Sequence, residues 1–245
     1  MKIFLKIFIL ALLVALLGCA GAKAKRSTAD AAYKEAADLF DRKRYEEAAT
    51  AFQELSAKYP LSKYAVPAKL KIADSYFYAE NYPEAISAYR NFEKLHPTNE
   101  NIPYTLFQIG MSYFNQVLTI DRDQTATMNA ATEFSRLIPR FPDSKYTEKA
   151  KENLATSRNN LAENEFYIGD FYYRKGNFKA AAERFEALIR AYPEFKAMDK
   201  VFFFLGKAYM EAGEKDKGKA NLKKLLEGYP DSEFAGDARG IVTAE

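Results

Sequence analysis

A pattern of small, aromatic and polar residues recurs several times along the chain, and each copy of the pattern ends at a proline. A histidine or an aromatic residue precedes this proline at five places: Tyr59-Pro60, His96-Pro97, Phe141-Pro142, Tyr192-Pro193 and Tyr229-Pro230. Pro60 and Pro97 lie 37 residues apart, as do Pro193 and Pro230. Proline cannot continue the hydrogen-bond ladder of a helix, so each marks a helix end. The pattern predicts a tandem array of helical units.

The residues within each unit fit the tetratricopeptide signature, which has a small residue at position 8, Tyr at 11, Ala at 20, an aromatic at 24 and Pro at 32. One unit matches at all five positions: Gly169, Tyr172, Ala181, Phe185 and Pro193. The last unit, with Gly218 and Leu222 in its second helix, fits less well. One helix pair cannot bury its apolar face alone. We therefore expect an all-α solenoid of five stacked repeats.

Two features interrupt the period. The halves of the third repeat are eight residues too far apart, so we expect a loop insertion at about 119–127, centred on Asp121 to Thr127. The fourth repeat starts 14 residues late, close to four helical turns, and the stretch before it lacks Gly and Pro. We therefore predict one helix from about Tyr146 to Lys175, roughly 45 Å long.

This helix would join repeats one to three (29–142) to the remainder of the chain (143–245), which would contain repeats four and five. A closing helix from about Glu233 to Val242 would cap the end.

The N-terminus has the pattern of a secreted lipoprotein. Lys2 and Lys6 precede an apolar run over 7–17 that is too short to span a bilayer. The run ends in Leu16-Leu17-Gly18-Cys19, which looks like a bacterial lipobox. We expect a cleaved signal peptide (1–18), a lipid on Cys19 and a tether over 19–28; the alternative is a buried apolar cysteine. Ala20, where Asp would signal inner-membrane retention, points to the outer membrane.

Composition offers little for catalysis. The net charge of +3 falls to about +1 without the two leader lysines, so no strong field suggests nucleic acid. His96 is the only histidine and occupies the aromatic position before a proline, which favours a packed turn residue. No His/Cys cluster has metal-site spacing, and no nucleophile–base pair or phosphate loop is present. We predict no enzymatic activity, no metal and no cofactor beyond the lipid on Cys19.

A protein-binding groove is the stronger hypothesis. In this repeat class, positions 2, 5, 9, 12 and 13 of each first helix face the concave side. In repeats one to three, these positions hold seven aromatic residues: Tyr33, Phe40, Phe77, Tyr78, Tyr104, Phe107 and Phe114. Aromatic residues are favoured anchors in protein interfaces. We predict a groove for an extended segment with aromatic side chains; the alternative is that neighbouring helices bury about half of these rings.

Several segments together resemble the BamD (ComL) family. They are the lipobox, Asp121-Arg122-Asp123-Gln124, the run from Phe141 to Tyr146, Glu165-Phe166-Tyr167-Ile168, Tyr172-Tyr173, Gly176 and Tyr192-Pro193. The resemblance implies a lipoprotein on the periplasmic face of the outer membrane, within the machinery that assembles β-barrels. It implies as partners a BamA-like barrel subunit, other lipoproteins of that machinery and unfolded outer-membrane proteins. The client signal would enter the groove of the N-terminal repeats.

The resemblance also implies that the C-terminal repeats contact a POTRA domain of the barrel subunit. Arg190 matches an Arg that the family carries before its Tyr-Pro, and with Tyr173 and Arg174 it forms the expected contact set. A solvated residue at a helix C-terminus explains Arg190 equally well. Gly218 and Leu222 depart from the repeat pattern. The alternatives are another tetratricopeptide lipoprotein, such as a secretin pilotin or a cell-envelope coordinator, and an enzyme with a carboxylate cluster in its groove.

Overall fold

The computed structural model describes residues 28–244, which form eleven α-helices and no strand. The helices are α1 (Ala29–Asp41), α2 (Tyr45–Lys58), α3 (Ala65–Tyr78), α4 (Tyr82–Leu95), α5 (Ile102–Phe114), α6 (Thr125–Arg140), α7 (Thr147–Arg174), α8 (Phe178–Ala191), α9 (Met198–Glu211), α10 (Lys215–Gly228) and α11 (Ala235–Thr243). The predicted signal peptide, Cys19 and the tether up to residue 27 lie outside this range. Thr28, predicted to end the tether, instead caps α1 by accepting a hydrogen bond from the Ala31 amide.

Each helix packs mainly against the next one along the chain. Helices α1–α2, α3–α4 and α5–α6 form repeats one to three, the second half of α7 pairs with α8, and α9 pairs with α10. None of the helices in the described range is both long and apolar enough to cross a membrane. The all-helical repeat fold predicted from the proline pattern is confirmed.

The turn inside a repeat has the same geometry in four of the five units. The residue two positions after the first helix has positive φ: Lys43 (61°), Glu80 (60°), Gly176 (75°) and Gly213 (83°). The next amide then bonds back to the helix, as Asn81 N does to Tyr76 O at 2.9 Å. This is the Schellman closure, which satisfies carbonyl groups at a helix end. The third repeat is the exception because its turn is replaced by the longer loop 115–124.

The interior of each repeat is built from a small residue facing a large one. Position 24 is fully buried in all five repeats: Phe52, Tyr89, Phe134, Phe185 and Leu222. A Cβ atom on Gly110 would lie 2.6 Å from Phe134, and one on Gly169 would lie 2.5 Å from Phe185. The glycines therefore permit the close approach of the two helices. The last repeat keeps this arrangement, since a Cβ on Gly206 would meet Leu222 at 2.6 Å.

Consecutive repeats are joined by stacked rings. The ring at position 5 of a first helix stacks on the aromatic residue that precedes the next first helix. Three pairs have this geometry: Tyr33–Tyr64 (4.8 Å between centroids), Phe107–Tyr146 (5.4 Å) and Phe203–Phe234 (4.8 Å). Between repeats two and three, the buried Glu133 carboxylate also binds Arg90 at 2.8 Å and Arg136 at 2.5 Å. These contacts fix repeat one against repeat two, repeat two against repeat three, repeat three against the start of α7, and repeat five against α11.

The long helix α7 joins two sets of repeats, as the sequence predicted, and ends within one residue of the expected bounds. Its first half packs against α6 and its second half against α8. The expected insertion at 119–127 was partly wrong, because α6 already begins at Thr125. At this point Asp123 Oδ1 accepts a hydrogen bond from the Thr125 amide at 2.9 Å.

Candidate functional site

The predicted groove aromatics of repeats one to three fall into separate clusters. One cluster, here called the turn cluster, lies at the turns of the first two repeats and consists of Phe40, Tyr45, Phe77, Tyr78 and Tyr82. Tyr78 stacks on Tyr45 with centroids 5.5 Å apart and contacts the edge of Phe40. Tyr78 is 48% exposed, whereas the other six predicted groove aromatics are half-buried.

The remaining predicted rings pack between helices. Tyr104 and Phe107 both lie against Tyr146 at the start of α7, at 5.5 and 5.4 Å. Phe114 contacts the buried Phe134 at 6.2 Å, and Tyr33 stacks on Tyr64. Neighbouring helices therefore partly bury four of the seven predicted groove aromatics, as the alternative interpretation expected: Tyr33, Tyr104, Phe107 and Phe114. Their role in client binding stays a prediction.

A buried carboxylate lies beside this face. Asp74 Oδ1 accepts hydrogen bonds from the hydroxyls of Tyr89 at 2.7 Å and Tyr104 at 2.8 Å, while Lys71 Nζ lies 3.4 Å from Oδ2. Burial, and then the Asp74 charge, raise the pKa of both tyrosines well above the ordinary value. Both phenols therefore remain protonated donors at neutral pH. The arrangement fixes α3, α4 and α5 to one another.

The structure adds a cleft that the sequence analysis did not single out. It has a volume of about 340 Å³ and lies between the loop 115–124, α7 and the start of α9. Its lining combines four apolar residues, one tyrosine and three charged residues: Ile120, Phe166, Phe195 and Ala197; Tyr167; and Glu163, Asp170 and Lys200. Two aromatic residues here are exposed to solvent, Tyr167 at 41% and the neighbouring Phe171 at 46%.

Part of this cleft could have been found from the sequence. Glu163, Phe166 and Asp170 occupy positions 2, 5 and 9 of repeat four, the same concave positions that were considered only in repeats one to three. Ile120 could not have been found, because it belongs to a loop without periodicity. Asn164 fixes that loop by donating its side-chain amide to the Ile120 carbonyl at 2.6 Å.

The predicted partner-contact residues occupy two different places. Tyr173 is half-buried against Phe178 and Phe204. Arg174, at the end of α7, pairs with Asp170 at 2.9 Å, whereas Arg190, near the end of α8, pairs with Glu186 at 3.6 Å. Both arginine side chains are exposed, at 63% and 70%. Their contact with a partner is untested by this geometry and stays a prediction.

The remaining ionisable chemistry is sparse. The His96 ring lies 5.2 Å from Phe92, and burial, followed by the nearby Lys69, lowers its pKa. Within residues 28–244, no group of three or more His, Cys, Asp and Glu side chains could hold a metal ion.

Comparison with known proteins identifies the family. A family model described as YfiO, outer membrane lipoprotein, matches residues 25–221. The chain belongs to this family. The resemblance to BamD proteins drawn from the sequence motifs is thereby confirmed.

Relatives in this family match over most of their length. The outer membrane protein assembly factor BamD of Rickettsia prowazekii (strain Madrid E) is 31% identical over 95% of each chain. BamD of Caulobacter vibrioides is 30% identical over 90% of this chain and 74% of its own length. BamD of Neisseria meningitidis serogroup A is 29% identical over 82% and 79%.

Solved structures with similarity to this chain are tetratricopeptide proteins. The TPR2AB domain of yeast Sti1 in complex with pHSP90 is 14% identical, with a TM-score of 0.44 over 87% of this chain and 82% of its own. A tetratricopeptide repeat protein from Parabacteroides merdae is 12% identical, with a TM-score of 0.43 over 91% and 87%.

Proposed function

We propose that this protein is a non-enzymatic scaffold of the machinery that assembles β-barrel proteins into the outer membrane. The observation that carries the proposal is the 31% identity to a named outer membrane protein assembly factor over 95% of both chains. In this proposal the repeats bind an unfolded client and a BamA-like barrel subunit at different places.

Client binding is assigned to the turn cluster in repeats one and two. Tyr78 is the exposed ring of that cluster, and Lys71 Nζ lies 4.4 Å above the Phe40 ring beside it. Such a surface suits aromatic side chains of an extended segment, because aromatic pairs add about 0.5–1.5 kcal/mol beyond area burial. The barrel subunit's POTRA domain is assigned to Arg190, with Tyr173 and Arg174 contributing at the turn of repeat four.

The first experiment is a pull-down of the C-terminally tagged full chain from detergent-solubilised envelope, followed by mass spectrometry. We expect stoichiometric recovery of a barrel subunit with POTRA domains. Recovery of a secretin without that subunit would favour the pilotin alternative and contradict the proposal.

The contact residues are tested in the same assay. Arg190→Glu should reduce recovery of the barrel subunit, and Arg42→Glu is its matched control, since Arg42 forms a similar exposed i,i+4 pair with Asp38 in repeat one. Tyr78→Ala should reduce client recovery without affecting the barrel subunit. Equal effects of Arg190→Glu and Arg42→Glu would refute the assignment of Arg190.

The membrane anchor is tested separately. We propose that Cys19 carries the lipid and holds the protein at the periplasmic face of the outer membrane, together with the other lipoproteins of the machinery. Cys19→Ser should abolish incorporation of labelled palmitate and release the chain from the outer-membrane fraction, because stable anchoring requires acyl chains. Labelling that persists in this variant would contradict the assignment.

A further inference from the structure

The cleft between repeats four and five contains two charged groups that have no ionic partner. Lys200 Nζ lies 4.5 Å from the centre of the Phe166 ring and forms no ion pair with any residue of 28–244. The Glu163 carboxylate accepts a hydrogen bond from the neutral side-chain amide of Asn159 at 2.7 Å. Asp170 differs, because Arg174 already neutralises it at 2.9 Å. The cleft therefore presents one cation and one anion that form no ion pair within residues 28–244.

Apolar side chains surround these two charges. Ile120, Phe166 and Phe195 line the cleft, and Tyr167 and Phe171 beside it are exposed at 41% and 46%. Leu118, two residues before Ile120, is 53% exposed. Exposed apolar groups concentrated around a concave site mark an interaction surface. The partner should therefore carry a bulky apolar side chain as well as both charges.

The spacing of the cleft residues sets how close together the charges of the partner must lie. Glu163 precedes Phe166 by one helical turn, about 5–6 Å, and Lys200 lies over Phe166. Two residues of an extended chain cover roughly 7 Å. A short segment can therefore reach both charges with residues no more than about two positions apart.

We propose that this cleft binds a short protein segment in which a bulky apolar side chain lies next to one acidic and one basic residue. Lys200 pairs with the carboxylate of the segment, and Glu163 pairs with its cation. The apolar side chain enters between Ile120, Phe166 and Phe195.

The cleft wall is held in place before any partner binds. Asn164 fixes the Ile120 carbonyl at 2.6 Å, and Gln124 donates to the carbonyls of Thr119 and Arg122 at 3.0 Å each. A preformed site loses less conformational freedom on binding. The loop that interrupts repeat three thus contributes to specificity in repeat four.

This inference is independent of the client assignment above, because it concerns other residues in other repeats. It is tested with two fluorescein-labelled heptapeptides in titrations of the full chain in detergent. The parent peptide has a central Asp-Phe-Lys sequence, and the all-basic peptide has Lys-Phe-Lys in its place. Fluorescence anisotropy should show saturable binding of the parent peptide with a Kd below about 1 mM. The all-basic peptide should bind more weakly.

Charge reversal supplies the decisive comparison. Lys200→Glu should weaken binding of the parent peptide roughly fivefold and reverse the preference towards the all-basic peptide. Glu163→Lys should weaken binding of the parent peptide by a similar factor. This variant should bind an all-acidic Asp-Phe-Asp peptide more tightly than the parent peptide. Lys196→Glu is the matched control: it makes the same charge change at an exposed position that does not line the cleft, and the peptide preference should remain that of the original chain.

Three outcomes would overturn the proposal. They are no saturable binding of the parent peptide, an equal loss for both peptides in Lys200→Glu, and the same change of preference in Lys196→Glu as in Lys200→Glu. A further variant separates the contribution of charge from that of apolar contact. Ile120→Ser should weaken binding of both peptides without changing the ratio of their affinities. An unchanged affinity in this variant would contradict the proposed position of the apolar side chain.

Discussion

At the scale of single residues, burial decides which of the many aromatic side chains hold the repeats together. Tyr89 and Tyr104 donate to one oxygen of the buried Asp74, so their hydroxyls act as fixed links between three helices. Tyr78 has the same residue type but is 48% exposed and stacks only at its ring faces and edges. Similar residues therefore have different roles according to their neighbours, which the sequence pattern alone does not specify.

The tyrosine pair predicts a loss of stability at high pH. The folded-state pKa of Tyr104 is raised above the ordinary 10.0, so the folded protein keeps a proton that the unfolded chain releases. Stability should be fully present below pH 10 and fall above it, by at most about 1.4 kcal/mol per pH unit for each such proton. Tyr104→Phe should lower stability at pH 8 by about 0.5–1.5 kcal/mol and make the decline shallower.

Urea unfolding at pH 8, 10 and 11 measures this difference. Tyr78→Phe serves as the control for an exposed ring, and its decline should follow that of the original chain. An identical slope in Tyr104→Phe and in the original chain would show that Tyr104 does not contribute.

At the scale of elements, the fit between helices depends on glycine at close contacts. Gly110→Ala should destabilise the protein by about 1–3 kcal/mol, because the new Cβ would lie 2.6 Å from the fully buried Phe134. Gly228→Ala, in α10, meets no atom within 4 Å and should instead stabilise by roughly 0.5–1 kcal/mol through helix propensity. Thermal unfolding of both variants provides the measurement, and stabilisation by Gly110→Ala would be contrary to the expected crowding.

The register of α7 is a second property of an element. Inserting one alanine between Asn159 and Asn160 turns the second half of the helix by about 100° relative to the first. We expect repeats four and five to lose protection from hydrogen exchange, because their apolar face no longer continues that of repeats one to three. A seven-residue insertion turns the second half of α7 by about 700°, which is nearly two full turns and restores its orientation. Protection from hydrogen exchange in α8 and α9 should then be preserved. Equal protection after both insertions would argue against coupling through α7.

At the scale of the whole molecule, each helix contacts chiefly its neighbours along the chain, so stability should be distributed repeat by repeat. Leu222→Ala removes a fully buried side chain from the last repeat and should cost about 2–5 kcal/mol there. Hydrogen exchange should increase in α9 to α11 while α1 to α4 keep their protection. A uniform increase along the chain would instead indicate a single cooperative unit.

Separation along the solenoid also bears on function. The turn cluster lies in repeats one and two, whereas the cleft is formed by the loop 115–124, the second half of α7 and the start of α9. Two segments, or two partners, can therefore bind without competing for the same residues. This arrangement supports the scaffold role proposed above.

The sequence by itself determined the helical repeats, their order and the long joining helix, because these depend on local periodicity and on prolines that end helices. It also determined the small and aromatic core positions, as Gly169 and Phe185 illustrate, and the family. The start of α6 was misplaced, since the local contacts at the end of the loop, such as the hydrogen bond from the Thr125 amide to Asp123, lie outside the repeat pattern.

Only the tertiary structure decided which groove aromatics stack on the next repeat, which arginines find acidic partners, and that Ile120 meets α7. These outcomes depend on distances between residues far apart in sequence. Ile120 and Asn164 lie 44 positions apart, and no periodicity within either segment encodes their 2.6 Å hydrogen bond.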